Sequence, residues 1–340
     1  MPKRILVTGG AGFIGSNLIL RLLAGERSCS VLNIDKLTYA SDLTYLNPVA
    51  GRSDYRFEQA DLADARAVRR LVYDFRPDAV LHLAAESHVD NSISGPEPFV
   101  MSNVVGTFQL LEACRRLWSD GKGGWEPHRF LHVSTDEVYG SLGPEGAFTE
   151  QTCYAPNSPY SATKAGSDFL VRSYFKTFGM QVLTTNCSNN FGPHQHDEKL
   201  IPTVIRKALS HQPIPVYGTG SNVRDWLYVG DHCQALIDVL ERGRVGETYL
   251  VGGRNEWKNL DLVYLLCDLL NELIGAAPQG DYRQLVQFVT DRAGHDHRYA
   301  IDPSKITSEL GWQPTHTFVG QLRETVRWYS RKYVNLIRNR

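Results

Sequence analysis

The first half of the chain alternates two hydrophobic rhythms. Short apolar runs at residues 4–9, 30–35, 55–60, 79–85 and 128–135 are separated by stretches at 12–24, 64–75 and 99–118 whose apolar positions recur every three to four residues. Continuous apolar runs of that length fit strands buried on both faces, and the longer period fits helices laid over them. Strand alternating with helix predicts a doubly wound parallel sheet, an α/β fold. A helix over 160–178 and a strand over 181–189 extend the pattern. From residue 192 the rhythm breaks into shorter mixed pieces: a helix over 200–210, the segment 224–229, and helices over 231–242, 259–274 and 318–331. The expected organisation is a sheet domain over 1–191 with returns near 230–255, and a smaller, interleaved mixed α/β substrate domain over 192–340. The glycine-rich stretch 120–127 and the proline-bounded stretch 140–159 read as surface loops, the second expected to act as a lid.

Composition narrows the class. The chain has 340 residues, enough to bury a core without disulfide or metal staples. A formal net charge of −1 gives no electrostatic case for nucleic acid or an anionic membrane. No apolar run approaches the ~20 residues of a membrane span. The N-terminal MPKRILVTGG lacks a secretory signal, and the six cysteines form no CxxC. A reduced, cytoplasmic protein is expected. The pairs His194/His196 and His295/His297 resemble metal ligands by spacing alone, and without complementary Cys or carboxylate spacing no metal is expected.

Gly9-Gly10-Ala11-Gly12-Phe13-Ile14-Gly15 joins the first strand to the first helix. Glycines there permit a tight turn and let the backbone approach a pyrophosphate, while the helix N-terminus offers free N–H groups and a positive dipole end. Asp35 ends the next strand, where a carboxylate accepts from ribose hydroxyls and repels a 2′-phosphate. NAD is therefore favoured over NADP, with Lys36 the residue that speaks against it. The loop, the acid and the strand–helix rhythm together predict a Rossmann domain.

Tyr160 and Lys164, in YSATK, are four residues apart and share one helix face. A phenol is a poor base at neutral pH, and a nearby ammonium or an oxidised nicotinamide favours its ionised form. Thr135, at a strand end, can hydrogen-bond the reacting hydroxyl, whereas Ser134 reads as structural. Asp136 and Glu137 follow directly, where parallel-sheet sites open. Adjacent carboxyls in a closed site oppose each other's ionisation, so one stays an acid while the other serves as base. Oxidation of a sugar 4-hydroxyl acidifies the 5-hydrogen. A base then removes that hydrogen, an acid protonates the leaving 6-hydroxyl, and reduction at the 6-position completes the cycle.

The Gly9/Gly12/Gly15 spacing with YSATK resembles the extended short-chain dehydrogenase/reductase superfamily. That resemblance implies that Asp61-Leu62 lies by the adenine, that Leu83-Ala84-Ala85 lines the cofactor, and that Lys164 reaches the nicotinamide ribose. TDEVYG, LAAESHVDNSI, NNFGPHQHDEKLIP, PVYGTGSNVRDWLYV and DRAGHDHRYAID are similar to the nucleotide-sugar 4,6-dehydratases within it. The similarity implies a hydro-lyase acting on dTDP-glucose, feeding dTDP-rhamnose and other deoxysugars, with Asp136 as acid, Glu137 as base and Tyr160 as the oxidation base. It also places Ser87 near the sugar, and Glu198-Lys199-Leu200 with Pro215-Val216-Tyr217 around the nucleoside.

Two phosphates call for cations and amides. Arg224 and Arg292 fit them by guanidinium geometry, and Asn189 and Asn259 add neutral donors; the resemblance supports all four. Arg206 could reach the nucleotide or face water, and His88, His295 and Asp296 take no assigned step. Apolar faces at Val104, Phe108 and Leu111, and at Phe169, Leu170 and Tyr174, match the family's pairing of two helices per subunit in a four-helix bundle, so a homodimer is expected. The rival readings are a dehydratase of CDP-glucose, GDP-mannose or a UDP-sugar, a 4-epimerase lacking the acidic pair, and a non-catalytic NAD sensor.

Overall fold

The computed structural model describes residues 2–24, 29–119, 125, 127–277, 280–291 and 294–338. Its strands are β1 (Arg4–Thr8), β2 (Ser30–Asp35), β3 (Tyr55–Gln59), β4 (Ala79–His82), β5 (Arg129–Thr135), β6 (Val182–Cys187), β7 (Asn189–Phe191), β8 (Ile214–Tyr217), β9 (Val223–Tyr228), β10 (Thr248–Val251), β11 (Glu256–Lys258) and β12 (Val286–Val289). Its helices are α1 (Phe13–Ala24), α2 (Ala65–Phe75), α3 (Val89–Ser94), α4 (Glu97–Phe99), α5 (Thr107–Trp118), α6 (Pro159–Phe178), α7 (Leu200–Leu209), α8 (Val229–Arg242), α9 (Asn259–Ile274), α10 (Ser304–Leu310) and α11 (Phe318–Arg338).

Seven strands form one parallel sheet in the order β10-β6-β5-β4-β1-β2-β3. Strand pleating sorts its side chains. Ile5 and Val7 enter a core with Leu18, Ile19 and Leu22 of α1 and Leu236 and Leu240 of α8. Leu6, between them, points into the opposite core with Val68 of α2, Leu110 of α5 and Val171 of α6. The chain reverses its winding between β1 and β4, and this switch point opens a crevice at the strands' C-terminal ends. A second, smaller assembly has the mixed sheet β11-β9-β7, the pair β12-β8, and a separate apolar core where α7, α9 and α11 meet.

Several expectations change in detail. The strand expected over 181–189 breaks at Ser188, whose N–H bonds to Val251 O at 3.0 Å, and β7 pairs instead with β9 of the smaller sheet. The strand expected over 79–85 ends at His82, leaving 83–85 as loop. The helix expected over 99–118 is a rod of α4, a π-helical segment (Val100–Gly106) and α5. The stretch 140–159 is docked on the later chain: Leu142 and Phe148 donate to Arg298 O and Ala300 O at 2.9 and 2.8 Å, and Phe148 is buried. Residues 120–124 and 126 of the glycine-rich loop lie outside the described residues. Strands β8, β11 and β12 and helix α10 had no counterpart in the apolar pattern, because each is short and mixed in polarity.

Candidate active site

The glycine turn is built for close approach. Gly9 has φ +72, and a Cβ there would lie 2.7 Å from Ala84 N; one on Gly15 would lie 2.2 Å from Gly9 O. α1 therefore starts against β1 with no acidic residue in its first turn. Asp35 ends β2 with Oδ2 accepting the Ala11 N–H at 3.0 Å and Oδ1 accepting from Leu37 N and Ser41 Oγ at 2.8 and 3.1 Å. Lys36 is held by Glu86 Oε1 at 2.7 Å and Ser102 Oγ at 2.6 Å, which pairs the cation that spoke for NADP. A bare turn, helix N–H groups and a fixed ribose-side carboxylate fit NAD.

Thr135 closes β5 and caps the 3-10 helix Asp136–Tyr139, accepting the Glu137 N–H at 3.3 Å. That cap sets Asp136 and Glu137 side by side at the crevice floor. Asp136 is 2% exposed, and its Oδ1 accepts from the Thr135 hydroxyl at 3.3 Å. Its Oδ2 is buried without a hydrogen-bond partner among the described residues. Burial, then the charges of Glu137 and Asp225, push its carboxyl well above the ordinary range; Arg224 and Thr135 oppose them. That shift favours the protonated form of Asp136.

α6 begins with a capping box, Ser158 to Ser161, and Pro159 in its first turn. That start aims Tyr160 and Lys164 at β5. Lys164 Nζ donates to Val133 O at 2.8 Å, and burial lowers its pKa to about 8. Burial also drives the Tyr160 hydroxyl up, reinforced by Glu137 and Cys187, while Thr135 lowers it.

A match to the family model described as GDP-mannose 4,6 dehydratase spans residues 6–325. The chain is 50% identical to the dTDP-glucose 4,6-dehydratase of Salmonella typhimurium, across 99% of this chain and 96% of that one. It is 54% identical to the enzyme of the same name from Xanthomonas campestris, across 95% and 92%. The structure of dTDP-glucose 4,6-dehydratase from Streptomyces venezuelae with NAD bound superposes with TM-score 0.88 at 44% identity, covering 96% and 97% of the two chains.

The chain belongs to the dTDP-glucose 4,6-dehydratase family.

In this family member one crevice collects Gly9, Gly12, Phe13, Ile14, Gly15, Asp35, Lys36, Asp61, Leu62, Leu83, Ala84 and Ala85 with Thr135, Asp136, Glu137, Tyr160 and Lys164. Ser87, Asn189, Glu198 and Lys199 line it too. Leu200, Pro215, Tyr217, Arg224 and Asn259 do not line it, and Arg292 lies outside the described residues. Arg224 lies behind Asp136: its guanidinium donates to the carbonyls of Val223, Asp296 and His297 and sits 4.2 Å from the Tyr299 ring centroid. Asn259, at the start of α9, buries an Oδ1 without a partner among the described residues. Tyr217 is exposed on β8, edge-on to His295.

The dehydratase crevice also includes Thr38, Ala40, Ser41, Ser102, Cys187, Asn190, Gln195 and His196, which sequence reading passed over. Thr38 to Ser41 follow the ribose-side acid directly, a signal that was available. Ser102 had none, because it reaches the crevice only through the π-helical segment. His88 caps α3 and lies 3.8 Å from Glu198, while Asp296 holds Asn157 and Tyr299 at 2.7 and 2.6 Å. His194 stacks on Tyr45 at 4.1 Å, and His295 bonds Asp291 at 2.6 Å. Among the described residues no His/Cys/Asp/Glu group is arranged to hold a metal ion, and no helix is long and apolar enough to cross a membrane.

Proposed function

We propose that Thr135, Asp136, Glu137, Tyr160 and Lys164 carry out the family reaction, the conversion of dTDP-glucose to dTDP-4-keto-6-deoxyglucose. The observation that carries this reading is a buried Asp136, its carboxyl raised by burial and by Glu137, next to a Tyr/Lys couple. A 4-epimerase needs only the couple. Bound NAD supplies the hydride acceptor at the sugar 4-position and the hydride donor at the 6-position, so it ends each turnover unchanged.

The residues of the chain handle the protons. Tyr160, as the tyrosinate that a bound oxidised nicotinamide would favour, takes the 4-hydroxyl proton with Thr135 hydrogen-bonded to the same oxygen, and Lys164 anchors the couple to β5. Glu137 removes the 5-hydrogen that the 4-ketone has acidified. Asp136 donates to the departing 6-oxygen, so water leaves rather than hydroxide. Microscopic return of a proton to the 5-carbon completes the 6-deoxy product.

For the substrate, the family resemblance assigns Ser87 to the sugar, Glu198, Lys199, Leu200, Pro215 and Tyr217 to the nucleoside, and Asn189, Arg224, Asn259 and Arg292 to the diphosphate. The same reading divides the chain into a cofactor domain over 1–191 with returns near 230–255 and a smaller, interleaved substrate domain over 192–340. All six cysteines are free thiols, which supports a reducing, cytoplasmic setting.

A homodimer through a four-helix bundle is part of the same reading. Leu111 and Tyr174 lie in the monomer core, but Phe108 and Phe169 are 41% and 58% exposed, with Met101 and Phe178 beside them at 42% and 43%. Such a patch on two adjacent helices supports a second copy as its cover. The experiment that tests the substrate assignment is incubation with dTDP-glucose, CDP-glucose, GDP-mannose and UDP-glucose in parallel. Alkali-absorbing ketone from dTDP-glucose alone is the expected result.

A further inference from the structure

Beneath the catalytic strand end lies a buried carboxylate that the reaction does not use. Asp168 is 4% exposed and sits on α6 one turn after Lys164, on the same face. Its Oδ2 accepts from Ser134 Oγ at 2.8 Å, Tyr154 OH at 2.8 Å and Asn186 Nδ2 at 3.2 Å. Its Oδ1 lies 3.1 Å from His132 Nε2. Each partner belongs to a different part of the site. Ser134 precedes Thr135 on β5. Asn186, on β6, also donates to Thr135 O at 3.1 Å. Tyr154 packs edge-on against Tyr139 of the 3-10 helix at 5.0 Å, in the helix that carries Asp136 and Glu137.

We infer that Asp168 is the positioning residue of the hydride-transfer couple: one buried carboxylate fixes β5, β6, the 3-10 helix and α6 in register and supplies the negative charge facing the Lys164 ammonium. This rests on the reading of Tyr160 and Lys164 given above. A buried carboxylate with three donors is held in one geometry, and removing its charge leaves those donors aimed at a neutral group. The other groups around Lys164 cannot replace it. His82 on β4 and His132 on β5 are buried imidazoles held low, His132 at about 4, so both are neutral. Cys187 on β6 is a thiol pushed up to about 12. Tyr160 on α6 is the reacting group itself, and the charge of Glu137 bears on it. Asp168 heads the groups that raise the Lys164 pKa against its burial.

The test compares Asp168→Asn and Tyr154→Phe in the NAD-loaded enzyme with dTDP-glucose. Asp168→Asn lowers kcat by about 100-fold with KM little changed. It also exposes a deuterium isotope effect from the sugar 4-position and moves the alkaline limb of kcat down by about one pH unit. Tyr154→Phe keeps the charge but removes one of its donors, so it lowers kcat by about three- to tenfold and leaves that limb in place. Asp168→Asn with a wild-type limb and no isotope effect, losing only thermal stability, overturns the inference. If Asp168→Asn does not fold, a Tyr154→Phe enzyme with unchanged kcat and isotope effect overturns it too. Ketone formation by wild-type enzyme keeps the test separate from the parent reading, since failure there would strike the reading itself.

Discussion

Lys164 Nζ and the carbonyl of Val133 are 2.8 Å apart, a buried bond that ties the catalytic helix to the strand ending in Thr135. Burial brings the ammonium down to about 8, below its ordinary value of 10.5. The charged form therefore dominates below that pH and is lost as pH rises through it. A pH profile of kcat/KM should show an alkaline limb near pH 8. A rate still level at pH 9.5 would contradict the placement of Lys164.

Tyr160→Phe removes the group that accepts the 4-hydroxyl proton. It should lower kcat by about 10³-fold and make oxidation rate-limiting. Rapid-mixing absorbance at 340 nm with 4-deuterated substrate reads both. An unchanged first phase would assign the proton to another group.

Glu137→Gln should behave differently, because oxidation does not need the 5-position base. The predicted outcome is a slow, persistent rise at 340 nm with ketone formation lowered at least about 100-fold. Full product release at the wild-type rate would refute the base assignment.

Asp136 carries a stability cost along with its role. Its carboxyl is raised by burial and by Glu137. The sign follows: its contribution is favourable below the unfolded value near ~4 and is lost as pH rises, because the fold holds a proton that the unfolded chain releases. Asp136→Asn should therefore raise Tm by about 2 °C at pH 8 while lowering turnover, and the gain should shrink toward pH 5.5. Calorimetry at the two pH values checks it; a lower Tm at pH 8 would contradict the buried-acid description.

Phe169 is the most exposed aromatic ring on α6. Phe169→Glu should give monomer mass in light scattering after size exclusion, where the proposed wild-type dimer gives twice that mass. A wild-type protein of monomer mass at micromolar concentration would remove the four-helix bundle from the account.

Much of this was legible in the chain because parallel sheets write themselves as apolar runs, and because a nucleotide turn needs glycine where a Cβ would collide, as at Gly15. The residues proposed to act follow one another in sequence, Thr135-Asp136-Glu137, or share a helix face, Tyr160 and Lys164. What stayed hidden is tertiary. At Ser188 the chain changes sheets inside a run that reads as one strand. The π-helical segment reads as ordinary helix; its register is stabilised by bonds such as Asn103 Nδ2 to Thr163 Oγ1 at 2.9 Å, between residues far apart in sequence. Asp168 looks like a solvated helix charge until Ser134, Tyr154 and Asn186 converge on it. The stretch 140–159 resembles a lid because its partners, residues 298–302, come much later in the chain.

The most direct test of the account is mass spectrometry of product formed from dTDP-glucose in heavy water. Loss of one water with a single solvent deuteron at the 5-carbon is the predicted result. Product that keeps all its oxygen, or loses water with no deuteron at that carbon, would contradict the division of labour between Asp136 and Glu137.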